Sequence, residues 1–281
     1  MSGDVVLEND AVPQNATPQF RNDDLEVGEG AVWLVRGASV LKIDPRDGSV
    51  GQAAAGIAST GNQGLDTGFG TVWLLHDDLF PVDPGSGETE DAVGLLESGE
   101  EVRANDVETG LGSVWVVTID GQLYRVDPET RAFERFRIGG TTENLAVGVD
   151  ALWITDEFEG VVSRFDPTAG EVVDRVELSG GLDAIAAGEG FVWVLDTSLG
   201  TLTPIEESTG DPRIPIEFGE DAEDIAVGGG SVWVASGGSV LQMNPATLQI
   251  VRTIEVGPTQ ILEVAVDTGS GALWLSLESL T

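Results

Sequence analysis

Seven short openings along the chain carry the residues best suited to chemistry. Asp23-Asp24, Gln63-Gly64, Asn105-Asp106, Glu143-Asn144, Asp183-Ala184, Glu223-Asp224 and Leu262-Glu263 each precede a tryptophan by a nearly constant interval. Eight of these fourteen residues are acidic, where the chain-wide share of 49 in 281 gives about 2.4, so the enrichment exceeds the general acidity. Carboxylates, amides and water are the ligands of hard cations, and such a ring offers them to Ca²⁺ or Mg²⁺. An acidic concavity also focuses field and captures a basic peptide or protein loop. A third reading is a hydrated mouth in a very acidic protein. The expected collar consists of Asp24, Asp106, Glu143, Asn144, Asp183, Glu223, Asp224 and Glu263, none assigned individually to a metal. Glu157, Glu159, Glu220 and Asp221 join it from loops on the same face. Like charges at this spacing raise one another's pKa values, and a bound cation relieves that repulsion.

Other chemistry is poorly supplied. The chain has no Cys, and His76 is its one histidine, so a cysteine nucleophile is excluded and a Ser-His-Asp set or zinc site has a single histidine to draw on. Carboxylate pairs for glycoside hydrolysis are so numerous that no particular pair is informative. Among aromatics that could stack on a ligand, Phe158 in Asp156-Glu157-Phe158-Glu159 is the one candidate. The expectation is a domain that binds and does not catalyse.

Thirteen basic residues against 49 acidic ones give a formal net charge of −36, with Lys42 the only lysine. Such a surface repels nucleic acid and anionic lipid and favours cations or basic partners. Salt adaptation or solubility accounts for the same charge without a partner. No apolar run approaches the roughly 20 residues of a membrane span, and MSGDVVLEND has neither the basic start nor the apolar segment of a signal peptide. A monomer is expected. Asn15-Ala16-Thr17 is a formal glycosylation sequon, read as chance.

The elements that position the collar are repeats. Trp33, Trp73, Trp115, Trp153, Trp193, Trp233 and Trp274 are spaced by 40, 42, 38, 40, 40 and 41 residues. A period near 40 with four short β-like runs per unit is the signature of a propeller blade. Around Trp233 the runs are Asp224–Val227, Ser231–Ala235, Ser239–Met243 and Gln249–Val256. Glycines turn the first run into the second, as in Gly28-Glu29-Gly30. These are hairpin turns and not a phosphate cradle, because a β-branched strand follows where a dinucleotide site needs a helix. Asp44-Pro45, Asp83-Pro84, Asp127-Pro128, Asp166-Pro167 and the variant Asn244-Pro245 join the third run to the fourth. The fifth unit departs, with Glu206-Glu207-Ser208-Thr209-Gly210, and His76-Asp77-Asp78 leaves the second almost no loop. The tryptophans, flanked by aliphatics, read as wedges between blades.

The expected fold is all-β: one domain over residues 1–281, a seven-bladed β-propeller with four antiparallel strands per blade. The last unit has two strands before Thr281, and Val5-Val6-Leu7-Glu8-Asn9 resembles Ser239-Val240-Leu241-Gln242-Met243. N-terminal strands within 4–20 would thus complete the C-terminal blade and remove two exposed edges.

The recurring pattern of Gly turn, Val-Trp-Val and Asp-Pro-x-Thr/Ala-Gly-x-Val, clearest in RFDPTAGEVVDRVELSGGLDAIAAGEGFVWVL from Arg164 to Leu195, resembles the YVTN and NHL-type seven-bladed propellers over essentially the whole chain. It is also similar to propeller domains of bacterial cell-surface and sensor proteins, which implies an extracellular or cell-surface domain of a larger protein. Streptogramin lyases share this repeat style, and that resemblance implies a histidine base with acidic groups holding Mg²⁺. His76 stands alone, so no catalytic residue carries over. A metal-dependent lyase or lactone hydrolase at the acidic mouth is the alternative to a binding domain.

Overall fold

The structure is a computed structural model that describes residues 24–36, 39–55, 64–76, 78–95, 103–178, 181–219 and 222–279. Around Trp233 the strands are Ala222–Gly228, Ser231–Ser236, Ser239–Asn244 and Gln249–Glu255, an antiparallel meander within two residues of the sequence expectation. The first hairpin closes in two residues, and in its counterpart Glu29 and Gly30 take φ of 49° and 78°. Both values are left-handed, as a turn matched to strand twist requires; Gly30 adopts its angle freely, and the steric cost falls on Glu29.

The described residues form seven separate sheets, five of four strands, one of three and one of two. Six sheets of three or four strands are blades; the seventh is the hairpin Thr259–Val266 with Leu273–Ser279. Antiparallel four-stranded blades are thus the rule, but six blades stand among the described residues where seven were expected, and the second unit's ladder stops at three strands. In the second unit the chain after Asp83-Pro84 bridges Val82 through Thr89 and then bonds from Glu90 N to Pro81 O (2.8 Å) and Val93 N to Leu79 O (2.9 Å). One extra residue between those bonds breaks the ladder. The N-terminal strands expected within 4–20, and with them Asp23, Gln63, Asp77, Glu220 and Asp221, lie outside the described residues.

Each unit's first strand packs beside the next, and the seventh, Thr259–Val266, packs beside the first, Asp24–Gly28. A closed ring of inner strands results, running through Gly64–Gly68, Ala104–Gly110, Thr142–Val147, Leu182–Gly188 and Ala222–Gly228. The tryptophans hold this ring together. Trp33 packs on Leu65, Val72 and Leu74 of the following sheet, Trp73 on Val107, Val114 and Val116 of the one after, and so round to Trp274 on Leu25, Val32 and Leu34. Trp33, Trp73, Trp115, Trp193 and Trp233 also donate their indole N–H to the carbonyl of the glycine ending their own inner strand, at 3.0–3.2 Å. Truncating such a ring to Ala costs on the order of 3–5 kcal/mol. Gly68 is required by the close approach there, since a Cβ would fall on the Thr109 side chain of the next inner strand.

Candidate functional site in the central channel

Side chains two apart on a strand face the same way, so each inner strand presents two tiers to the channel. The upper tier, two residues before the position paired with tryptophan, holds Asp24, Asp106, Asp224 and Glu263. The lower tier, directly opposite the tryptophans, holds Glu26, Asp66 and Glu108 on three consecutive sheets. Alanine takes that place on the other four, as Ala146, Ala186, Ala226 and Ala265. Sequence reasoning counted the strand openings and missed this lower tier. The alternation of each inner strand, Asp-Leu-Glu in the first and Asp-Val-Glu in the third, was the signal.

The carboxylates also tie sheet to sheet. Asp24 Oδ2 accepts the amide of Leu65 (2.6 Å), Asp106 Oδ2 that of Leu145 (2.7 Å) and Asp224 Oδ2 that of Val264 (2.8 Å), each on the next inner strand. Asp66 reaches the Thr109 amide in the same manner. Asp106 Oδ1 and Glu26 Oε2 take the amide of the following residue at 2.8 Å.

Hydrogen bonds from amides favour the charged form, yet here they lose. Burial pushes Asp106 up to about 8, against the pull of the Leu145 amide and with the help of Asp24 and Asp66. Asp24 is pushed up to about 7, by burial first and then by Asp224 and Asp66, which outweigh the Leu65 amide. Burial lifts Asp66 and Asp224 to about 6, and the same cause with Asp66 nearby raises Glu26 and Glu108 well above the ordinary range. The Glu263 side chain stands close enough to Asp224 to draw its carboxyl partly back down. No Lys, Arg or His lies on any inner strand. Basic side chains are used elsewhere: Lys42, Arg125 and Arg164 lie over the faces of Trp33, Trp115 and Trp153, each 5.4 Å from the ring centre.

Of the rest of the expected collar, Asn144 shares the upper-tier position, two residues before Ala146 opposite Trp153, while Glu143, Asp183 and Glu223 each stand one residue nearer the rim. Glu143 is half-buried, its carboxyl raised by burial and then by Glu157, Asp156 and Asp183. Asn144 donates Nδ2 to the Asp183 carbonyl (3.0 Å), and Glu223 accepts Gln260 Nε2 (2.6 Å). Asp183 is exposed and turned to the turn after its sheet's second strand, where Oδ2 accepts both the amide (2.9 Å) and the hydroxyl (2.6 Å) of Thr197. His76 is buried at the end of a second strand, edge-on to Phe80 with ring centres 6.5 Å apart. Among the described residues, no three acidic or histidine side chains group as ligands around one ion. The seven carboxyls of the two tiers can store protons and attract cations.

Solved structures share this fold. A streptogramin B lyase superposes with a TM-score of 0.76 at 12% identity, covering 91% of this chain and 90% of that one. The virginiamycin B lyase of Staphylococcus aureus gives 0.75 at 14% identity, covering 91% of each chain. The dihydro-heme d1 dehydrogenase NirN gives 0.67 at 17% identity, covering 90% of this chain and 62% of that one. No family model and no curated protein sequence matches. At these identities the likeness establishes an all-β propeller and nothing about substrate. It does correct the expectation of a domain that does not catalyse: structures with this fold bear the names of enzymes, so the architecture gives no ground for excluding turnover.

Proposed function

We propose that the chain is a seven-bladed propeller whose acidic channel captures a cationic group carried by a protein or peptide partner. One observation supports this above the rest: two tiers of carboxyls, Asp24, Glu26, Asp66, Asp106, Glu108 and Asp224, converge on one channel whose strands carry no basic residue. An entering cation meets groups that hold protons near neutrality, so binding should release protons. The seven-blade count belongs to the same proposal, with residues 4–20 adding the outer strands that the hairpin Thr259–Val266 with Leu273–Ser279 lacks. The extracytoplasmic setting implied by the family resemblance goes with it. The test is a calorimetric titration of pentalysine, and separately of Ca²⁺, into the full chain at fixed ionic strength. Saturable pentalysine binding with proton release, lost in a D24N/D106N double variant, is the expected result. Binding of Ca²⁺ alone would replace the partner by an ion, and no saturable binding of either would leave a hydrated mouth.

A second reading, a lyase or lactone hydrolase at the mouth, is favoured by the fold shared with streptogramin B lyase and by carboxyls poised near 7 and 8, where general acids and bases work best. Ring opening of a streptogramin B lactone with Mg²⁺ present, followed by mass spectrometry, tests it; no opening above the uncatalysed rate sinks it.

A further inference from the structure

Three large apolar side chains stand exposed on consecutive sheets of one face. Ile119 is 36% exposed, Phe158 75% and Leu199 57%, each in the turn from the second strand to the third. Their face is the mouth's, because the pairings Ala104 with Thr118, Thr142 with Asp156 and Leu182 with Asp196 set the start of each inner strand beside these turns. Three other units have no large apolar residue there, the corresponding stretches being Arg36-Gly37-Ala38, His76-Asp77-Asp78 and Ser236-Gly237-Gly238, while the seventh unit's stretch lies outside the described residues. Isolated exposed apolar residues are ordinary, but these three recur at the same turn of consecutive sheets with acidic side chains between them.

The three turns are held in one hydrogen-bonded network. Thr118 Oγ1 donates to Asp120 (2.6 Å), and the Thr118 carbonyl accepts Thr142 Oγ1 (2.5 Å) from the next sheet. Asp156 takes the amides of Thr141 (2.9 Å) and Glu159 (3.0 Å), bracketing Phe158. Asn144 reaches the Asp183 carbonyl, Asp183 holds Thr197, and Asp196 holds the Leu199 amide at 2.9 Å. Turns fixed in advance lose little entropy on binding. Glu143, Glu157, Asp156 and Asp183 lie among them, so charge selects a basic partner.

We infer that the arc Ile119–Phe158–Leu199 is a preformed docking surface for a protein segment that carries apolar side chains interleaved with Lys or Arg. The inference rests on the channel reading and adds the partner's apolar half. Apolar anchors would give the contact residence time, while the acidic mouth gives it approach rate.

Two synthetic octapeptides test it, one alternating Lys with Phe and Leu, the other alternating Lys with Gly, titrated into the full chain at constant salt. The apolar peptide should bind about tenfold more tightly or better, and an F158S/L199S double variant should bring it down to the Lys-Gly peptide's affinity. Both positions are exposed, so the variant should melt with the wild type. Equal affinities for the two peptides, or an advantage untouched by the double variant, overturns the docking surface while leaving the channel reading intact. If neither peptide binds, the channel reading falls with it.

Discussion

The repeats place acidic residues in two kinds of position, the channel and the turn between third and fourth strands, and the two sets behave in opposite ways. In the turns between third and fourth strands, Asp127 accepts the amides of Glu129 (3.0 Å) and Thr130 (2.7 Å), and Asp166 those of Thr168 (2.7 Å) and Ala169 (3.0 Å). Those bonds hold both carboxyls below the usual range, and Arg46 draws Asp44 down to about 2. In the channel, Asp24, Asp66, Asp106 and Asp224 accept amide bonds just as good, and all four are raised. The bond is common to both sets; water is not. Where solvent surrounds the carboxylate the amide decides the pKa, and where the neighbouring strands and other acids surround it, desolvation wins. A formal charge of −36 therefore overstates the charge in the channel and describes the turns well.

The largest expected effect is the pH dependence of stability. Raised folded-state values mean that the native channel holds protons which the unfolded chain releases. The resulting stabilisation is fully present below about pH 4 and is lost as pH rises through the channel's 6 to 8. The turn acids act oppositely, stabilising above about pH 4 and losing their contribution as pH falls toward 2. Calorimetric melting at low salt should place the maximum near pH 5, with a fall of about 5 °C or more by pH 8, and moderate salt should recover part of it. A melting temperature that is flat or rising from pH 5 to 8 would break the comparison.

Smaller and more specific is Asp106→Asn. The amide oxygen can still accept from Leu145, so the tie between sheets survives while the charge goes. At pH 8 the variant should be more stable than the wild type by about 1 kcal/mol, some 2–4 °C, and at pH 5 the two should melt together. Destabilisation at both pH values would mean that the carboxylate is needed as a clamp and carries no repulsion.

What is legible in the amino-acid sequence divides along the same line. Trp spacing, Gly turns and Asp-Pro turns are local, and the hairpins they announce are present within two residues. Position relative to Trp fixes which strand end Asp24, Asp106 and Asp224 occupy. The lower tier was legible in principle through the alternation Asp24-Leu25-Glu26, but only once the facing of that strand is taken as seriously as its start. Other features depend on how one sheet rotates against the next, which no local pattern encodes. Asp24 meets the Leu65 amide across 41 residues, and Glu207 is buried to reach Val149. Asp183 turns to Thr197 beyond the second strand of its sheet, which offers it a hydroxyl and an amide. The second unit lost its regular outer strand to one inserted residue between Thr89 and Val93, an irregularity invisible to a period of about 40.

The smallest expected effect is in the turns, where the repeat supplies its own control. Asn244 stands where Asp127 and Asp166 do, and its Oδ1 accepts the amides of Ala246 (3.0 Å) and Thr247 (2.9 Å) in the same arrangement. The turn thus needs an acceptor and not a charge. Asp127→Asn should be nearly silent at pH 7, while Asp127→Ala, which leaves two turn amides to water, should lower the melting temperature by about 1–2 °C. That loss should shrink as the pH is taken toward 2, because the protonated aspartate of the wild type is then the weaker acceptor too. Set beside Asp106→Asn, the same substitution is stabilising in the channel at pH 8 and neutral in the turn. An equal gain from Asp127→Asn at pH 8 would show that the whole acidic surface repels itself uniformly, and the channel would lose its claim to be electrostatically special.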